Sequence, residues 1–405
     1  MEPPGIRMRA HLAGATGSRP LAVKLPRREE FMAPVARLLL KIDECFAGSA
    51  SMAKAKGGSL PWSADEIDGI RTAVLKWYRV HARDLPWRRT RDPYAIFVSE
   101  LMLQQTQAAT VIPYFERWMS EFPTWRVLAE APLERVLKAW EGLGYYHRAR
   151  NLHQTAKIVC EEYGERLPAD YYRVLSLPGV GRYTVGAICS IAFGMRLPVL
   201  DGNVVRVLTR LANFGAPVDL ASTQNALWRW AEALTPERHP GEFNQSLMEL
   251  GALICARSNP ACLLCPLRVL CRAKDPAALP VKSRRLALSP LLEDVEIVIH
   301  RGRVLVSCDP AAARWPGLWQ FPRARETGPD EPWQSIKFSF TRYRGQMRAW
   351  LRPTRKAGRH ERWATVGQLA TAPMPAPHRK LAAAVEALLM ADRGTPKMSR
   401  IFRRR

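Results

Sequence analysis

Leu177-Pro178-Gly179-Val180-Gly181 lies between two stretches of helical spacing, 170–176 and 183–194, and decides how the first two thirds of the chain are read. Two glycines in so short a connection permit a tight turn, and a helix follows at once, so the segment predicts a helix–turn–helix hairpin. In such a turn several backbone N–H groups can point the same way, and the next helix adds its N-terminal dipole. A polyanion backbone can dock there without base recognition. Read alone, the five residues fit a plain hairpin inside a core equally well.

Working outward, Ser63 followed by Glu66 predicts a capping-box start, continued at helical spacing by Ile67, Ile70, Val74, Leu75 and Tyr78. Further apolar runs occupy 94–112, 132–140, 147–163, 203–212, 223–234 and 243–254. Nothing from 63 to 273 alternates like a strand, which predicts an all-α domain over 61–273. Residues 274–292 carry prolines and basic residues and read as a linker. Val295–Ile299, Arg303–Ser307 and Ile336–Leu351 are β-rich, and a helix of good formers runs from His378 to Ala391, so a smaller α/β domain is expected over 293–392. Residues 393–405 read as a basic tail. Residues 1–60 read as a disordered basic extension, or as a start placed too early with Met52 the true one; a targeting peptide is the other reading.

The chain has 405 residues, 47% hydrophobic and 24% charged, which suits a globular protein of two domains. No stretch is long and uncharged enough to span a bilayer. Lys and Arg number 61 against 37 acids, a net charge of +24, which favours an anionic partner; with 13 tryptophans and no basic amphipathic membrane helix, nucleic acid is the expectation. Eight cysteines are too few for a disulfide scaffold, but Cys255, Cys262, Cys265 and Cys271 crowd into 17 residues. Four thiolates at that spacing suit either one zinc ion or a [4Fe–4S] cluster. Arg257, Arg268 and Arg272 lie among them and can offer positive charge to a phosphate.

Glu100 is the only charged residue from Pro93 to Phe115. A carboxyl buried on such a helix would hold its proton near neutral pH and can donate it; on a helix edge it would be an ordinary solvated glutamate. Its neighbours Gln104, Gln105 and Gln107 need partners, and base edges are one possibility. Asp201, in Leu200-Asp201-Gly202-Asn203-Val204, reads alone as a helix N-cap. Paired with Glu100, it completes the acid and carboxylate that glycosidic cleavage through an oxocarbenium-like transition state requires.

Together, Ser99–Gln107, Gly142-Leu143-Gly144-Tyr145-Tyr146, the Leu177–Gly181 hairpin, Leu200–Val204 and the four cysteines closely resemble a MutY-type adenine DNA glycosylase of the helix–hairpin–helix superfamily, over residues 64–273. The resemblance implies a [4Fe–4S] cluster on the four cysteines and excision of adenine mispaired with 8-oxoguanine or guanine in duplex DNA, leaving an abasic site. It implies that Glu100 protonates the adenine and helps activate water, and that Asp201 stabilises or traps the sugar cation. Tyr183 and Asn203 match pocket residues. Trp87, Arg88 and Leu103 match adenine-side contacts, and Gln105 and Tyr145 match residues that wedge into the helix. Gln104, Leu177, Gly179, Val180 and Gly181 complete the implied DNA contacts. Tyr183 stands where endonuclease III places its Schiff-base lysine, which implies base removal without efficient strand cleavage.

Gly317-Leu318-Trp319-Gln320-Phe321-Pro322 makes the second domain similar to the family's Nudix-like recognition domain, without the glutamate-rich helix of a working Nudix hydrolase. Phe340-Thr341-Arg342 aligns with a Phe-Ser-His loop that reads 8-oxoguanine in many members; Arg342 departs from the pattern and bears on discrimination against guanine. The alternatives are an endonuclease III-like pyrimidine-lesion glycosylase with lyase activity and a non-catalytic Fe–S DNA-binding protein. A monomer in the bacterial cytoplasm is the default expectation, an organellar or nuclear home the alternative.

Overall fold

The computed structural model describes residues 60–283, 287, 289–327, 331–340 and 343–392. The expectations for residues 1–59, for the tail from 393 and for Thr341 and Arg342 lie outside the described residues.

The capping box forms as the sequence predicts. Ser63 Oγ accepts from Glu66 N at 3.2 Å, and Ser63 N donates to the Glu66 carboxylate at 2.8 Å, starting α1 (Ala64–His81). A 3-10 turn (Pro86–Arg88) leads to α2 (Pro93–Leu103), α3 (Ala108–Glu121), α4 (Trp125–Glu130), α5 (Leu133–Ala139), α6 (His147–Tyr163) and α7 (Tyr171–Leu175). Then follow α8 (Arg182–Phe193), α9 (Gly202–Leu211), α10 (Ala221–Leu234) and α11 (Pro240–Leu253). The single run expected over 94–112 is broken into α2 and α3. The Gln104 backbone leaves helical geometry with ψ at 112°, and Gln105 is left-handed with φ at +55°, so the chain turns there although its apolar spacing continues.

Two apolar clusters fill the helical part. One gathers α2, α3, α6 and the start of α8; the other gathers α1, α9, α10 and α11. Helices α8 and α11 cross closely behind the site to be described, because Gly241 has no side chain. A Cβ there would lie 2.4 Å from Ser190 O and 2.7 Å from Ile191 Cα. Gly179 sits in the hairpin turn with φ at +79°, and a Cβ on it would meet Asn151 Nδ2 at 2.6 Å. The backbone there is left-handed and closely packed, which only glycine meets without strain.

The remaining chain forms a five-stranded mixed sheet in the order β3-β4-β1-β2-β5, comprising β1 (Ser289–His300), β2 (Arg303–Ser307), β3 (Gln334–Phe340), β4 (Tyr343–Arg352) and β5 (Glu361–Ala364). The β1–β4 pair is parallel and the other pairs are antiparallel. Strand β1 begins at Ser289, inside the stretch read as linker, because Ser289 and Pro290 pair with Tyr343 and Arg344. Alternate residues Val295, Ile297, Met347 and Ala349 face α13 (Ala376–Asp392), which brings Leu381 and Val385. Helix α12 (Val366–Thr371) closes the layer with a second capping box. Leu318 joins the helical core, and Tyr146 Oη donates to Met374 O at 2.9 Å, so the helical and sheet parts pack on each other. Arg379 and Glu141 add an ion pair at 2.5 Å across the same seam.

Candidate active site

Helix α2 is apolar on every side, and nine of its eleven residues, Glu100 among them, are buried. Glu100 is therefore carried into the interior at 4% exposure, where a cleft of about 620 Å³ reaches it. Tyr183, from the first turn of α8, donates its hydroxyl to Glu100 Oε2 at 3.0 Å and lies 3.3 Å from Met248 Sδ. Burial pushes the Glu100 carboxyl up to about 7; the Tyr183 hydrogen bond opposes this and the nearby Asp201 charge adds to it. Because Tyr183 occupies Oε2, Oε1 is left to carry the proton. Burial, with the Glu100 charge next, lifts the Tyr183 hydroxyl well above the usual phenol range.

Asp201 lies across the cleft as the N-cap of α9. Its Oδ1 accepts from Asn203 N at 3.0 Å and Val204 N at 2.7 Å, and its Oδ2 from Asn203 Nδ2 at 2.8 Å. Burial raises its pKa, and these three hydrogen bonds, with the Arg206 charge, pull the other way. Asp201 is the helix cap that its sequence predicts, and capping leaves it fixed on the wall of the cleft that Glu100 also lines. Arg206 extends the chain of contacts, donating to Asn203 Oδ1 at 2.7 Å, Gly251 O at 2.6 Å and Cys255 O at 2.7 Å.

Trp87, Arg88, Leu103, Gln105, Gln107 and Asn203 line the same cleft, so nine of the residues singled out in the sequence meet there, counting Glu100, Tyr183 and Asp201. Arg88 engages Glu249 Oε2 at 2.8 Å. Glu249 is fully buried, yet it takes three hydrogen bonds from Arg83 and one from Arg88. Burial alone would raise its carboxyl, but these bonds more than offset it and hold it at about 2. Glu249 was not singled out from the sequence, although the criterion that finds Glu100, one acid in an apolar helix, applies equally to the run 243–254. Ser99, Gln245 and Met248 line the cleft as well.

The other expected residues lie elsewhere. Gln104 bonds Thr184 Oγ1 at 3.2 Å and the hairpin carbonyl of Gly179 at 3.5 Å, which ties the end of α2 to the turn. Leu177 is buried, while Gly179 and Gly181 are exposed in the turn that opens α8. Tyr145 is half-buried and left-handed (φ +47°) in the turn before α6. Phe340 ends β3, its ring 6.0 Å from Phe338 and 6.1 Å from Trp315.

None of the four cysteines of the 255–271 loop is joined in a disulfide. Burial, then the neighbouring thiols, raise Cys265 and Cys271, which places the four side chains within electrostatic reach of one another. Among the described residues no group of three or more His, Cys, Asp or Glu is gathered tightly enough to hold a single metal ion. Arg210, fully buried on α9, donates to Cys255 Sγ at 3.4 Å and to the carbonyls of Cys255, Ala256 and Arg257 at 3.2, 2.8 and 3.3 Å. A buried cation against the loop suits a centre of net negative charge. Of the arginines within the loop, Arg272 is engaged by Glu66 at 2.6 Å, while Arg257 and Arg268 are exposed.

The HhH-GPD superfamily of base excision DNA repair proteins matches residues 98–233, the span from α2 to α10. An adenine DNA glycosylase of Buchnera aphidicola subsp. Schizaphis graminum is 36% identical over 253 residues, covering 62% of this chain and 73% of the relative. The adenine DNA glycosylase of Rattus norvegicus is 43% identical over 277 residues, covering 65% of this chain and 53% of the relative. Among solved structures, a thermostable thymine-DNA glycosylase is 33% identical, covering 51% of this chain and 96% of that chain with a TM-score of 0.48. The family match places the helical part in the helix–hairpin–helix class of base excision DNA repair proteins. Within that class the chain belongs to the adenine DNA glycosylase family. It spans about half the length of the mammalian relatives it matches.

Proposed function

We propose that the chain is a monofunctional DNA glycosylase that hydrolyses the N-glycosidic bond of adenine opposite 8-oxoguanine or guanine. The observation that carries this is a buried carboxyl, Glu100, able to hold a proton at neutral pH in the same cleft as the capped carboxylate of Asp201. A target adenine flipped from the duplex enters the cleft against Trp87 and Leu103. Glu100 passes its proton to a ring nitrogen of the base, and the C1′–N9 bond breaks with its electron pair going to adenine. Asp201 balances the positive charge left on the sugar. Water then bonds to C1′ and gives its proton to the Glu100 carboxylate, which restores the acid. No lysine lines the cleft among the described residues, and Tyr183 is bonded to Glu100, so no amine is at hand to form a Schiff base.

Duplex DNA is the partner, supported by a net charge of +24 and by the hairpin at the start of α8. In this reading the helical domain (61–273) does the chemistry, and a Nudix-like domain, its sheet beginning at Ser289, offers Phe340 at the end of β3 to the opposing base. Cys255, Cys262, Cys265 and Cys271 hold a [4Fe–4S] cluster. Four thiolates suit a cluster that takes one from the protein at each iron. A bound cluster would tie the four cysteines together beside Arg210, which already bonds Cys255 Sγ. Purified protein is expected to contain iron and acid-labile sulfide in equal amounts; stoichiometric zinc instead would overturn the assignment.

Single-turnover base release from duplexes with adenine opposite 8-oxoguanine, guanine and thymine tests the function. Strand breaks appearing only after alkali, fastest opposite 8-oxoguanine and absent opposite thymine, are expected. No release from any duplex by iron-replete protein would sink the reading, and borohydride trapping of a covalent complex would favour a lyase.

A further inference from the structure

Arg148 is a buried arginine with carbonyls rather than a carboxylate around it. It lies on α6 at 2% exposure, and one terminal nitrogen donates to Leu101 O at 3.0 Å, Met102 O at 2.8 Å and Gln104 O. The other donates to Thr106 Oγ1 at 3.2 Å, Leu143 O at 3.1 Å and Gly144 O at 3.2 Å. The guanidinium also lies 5.3 Å from the centre of the Trp140 ring and 5.4 Å from that of Tyr145. Its pKa is lowered by burial to about 10, so it remains a cation at neutral pH.

Two features make this arrangement more than a buried anchor. Helix α2 ends without a glycine cap, and two of the carbonyls in its last turn, Leu101 O and Met102 O, are satisfied by the arginine, a cation at a helix C-terminus. The two loops it bridges each carry a non-glycine residue in left-handed backbone, Gln105 at φ +55° and Tyr145 at φ +47°. Such conformations persist only where surrounding contacts over-determine them. Arg148 bonds the residues on either side of Gln105 and the two carbonyls just before Tyr145.

The geometry points to Arg148 as the positioning residue that locks Gln105 and Tyr145 into one rigid pair of wedges for prising open the duplex at the target adenine. This rests on the proposed glycosylase reading and on the wedge role that the resemblance implies for those two side chains. The chemistry of the guanidinium explains the residue type: a planar fork reaches both loops at once, whereas the single nitrogen of lysine cannot. The two wedges would then move as a unit.

The test uses the full chain and two readouts. One is single-turnover adenine release; the other is the fluorescence of 2-aminopurine placed next to the target adenine, which reports unstacking whether or not the base is cleaved. Arg148→Lys is expected to lower release about 10-fold to 100-fold, as misplacement of a reacting geometry does, and to lower the fluorescence in parallel. In a Gln105→Ala/Tyr145→Ala background the same substitution should cost less than about threefold further, because residues acting through one another are not additive. Thr106→Val removes one acceptor without touching the cation, so it serves if the lysine variant folds poorly; a smaller loss that also vanishes in that background is expected. Equal losses in both backgrounds, or unchanged fluorescence in Arg148→Lys and Thr106→Val, overturn the assignment. Wild-type protein that unstacks the probe but releases no adenine would defeat the glycosylase reading and leave the wedge assignment to be decided by the fluorescence alone.

Discussion

Glu100→Gln is expected to lose adenine release by at least about 10³-fold and at the same time to melt at a higher temperature at pH 8. The two effects share one cause. In the unfolded chain the carboxyl titrates at the ordinary glutamate value of 4.5; in the fold, burial lifts it to about 7. A folded pKa above the unfolded one means the fold prefers the protonated form. The carboxyl is therefore harmless to stability below about 4.5, and its penalty grows as pH rises through the interval and is complete above about 7. The displacement corresponds to on the order of 3 kcal/mol. Glutamine keeps the shape and an oxygen for the Tyr183 hydroxyl but carries no charge to desolvate. The gain should be largest above pH 7 and shrink towards zero near pH 4.5. Wild-type release should fall as pH rises above about 7, when the acid loses its proton. Thermal melts from pH 4.5 to 8 check the first claim. A variant no more stable than wild type at pH 8 would show that the site does not desolvate Glu100.

Much of the helical part was legible because its signals are local. The capping box at Ser63, the spacing of 147–163 and the glycines of the hairpin each act within a few residues, and α1, α6 and α8 follow from them. Strand β2 was read to the residue, while β5 and α12, at four and six residues, were too short for their periodicity to register. The break between α2 and α3 escaped because its cause is distant: the carbonyls that end α2 are taken by a guanidinium more than 40 residues further on. Glu249 and Arg83 meet across 166 residues, and no spacing rule joins them. Glu100 and Asp201 were legible for another reason. An acid inside an apolar helix and an aspartate before a helix are each unusual enough to be noticed, though only folding shows that they share a cleft. The Phe340 loop remains the least legible part, since its reading depends on Thr341 and Arg342.

Asp201→Asn should lose base release on the order of 10³-fold while leaving the fold nearly as stable as wild type. Asparagine caps a helix about as well as aspartate, and its oxygen can still accept from Asn203 N and Val204 N, the bonds that start α9. What disappears is the negative charge, together with the bond from Asn203 Nδ2 to Oδ2, because an amide would set donor against donor there. The stability cost should stay within about 1 kcal/mol. Asp201→Ala removes the cap as well and should cost about 1–2 kcal/mol more, yet lose no more activity than the asparagine variant. The pair of variants therefore separates cap from charge. If activity followed the cap, asparagine would work and alanine would fail; if it follows the charge that balances a sugar cation, both fail alike. Melting curves and single-turnover rates on the same preparations decide it, and an asparagine variant within tenfold of wild type would remove Asp201 from the chemistry.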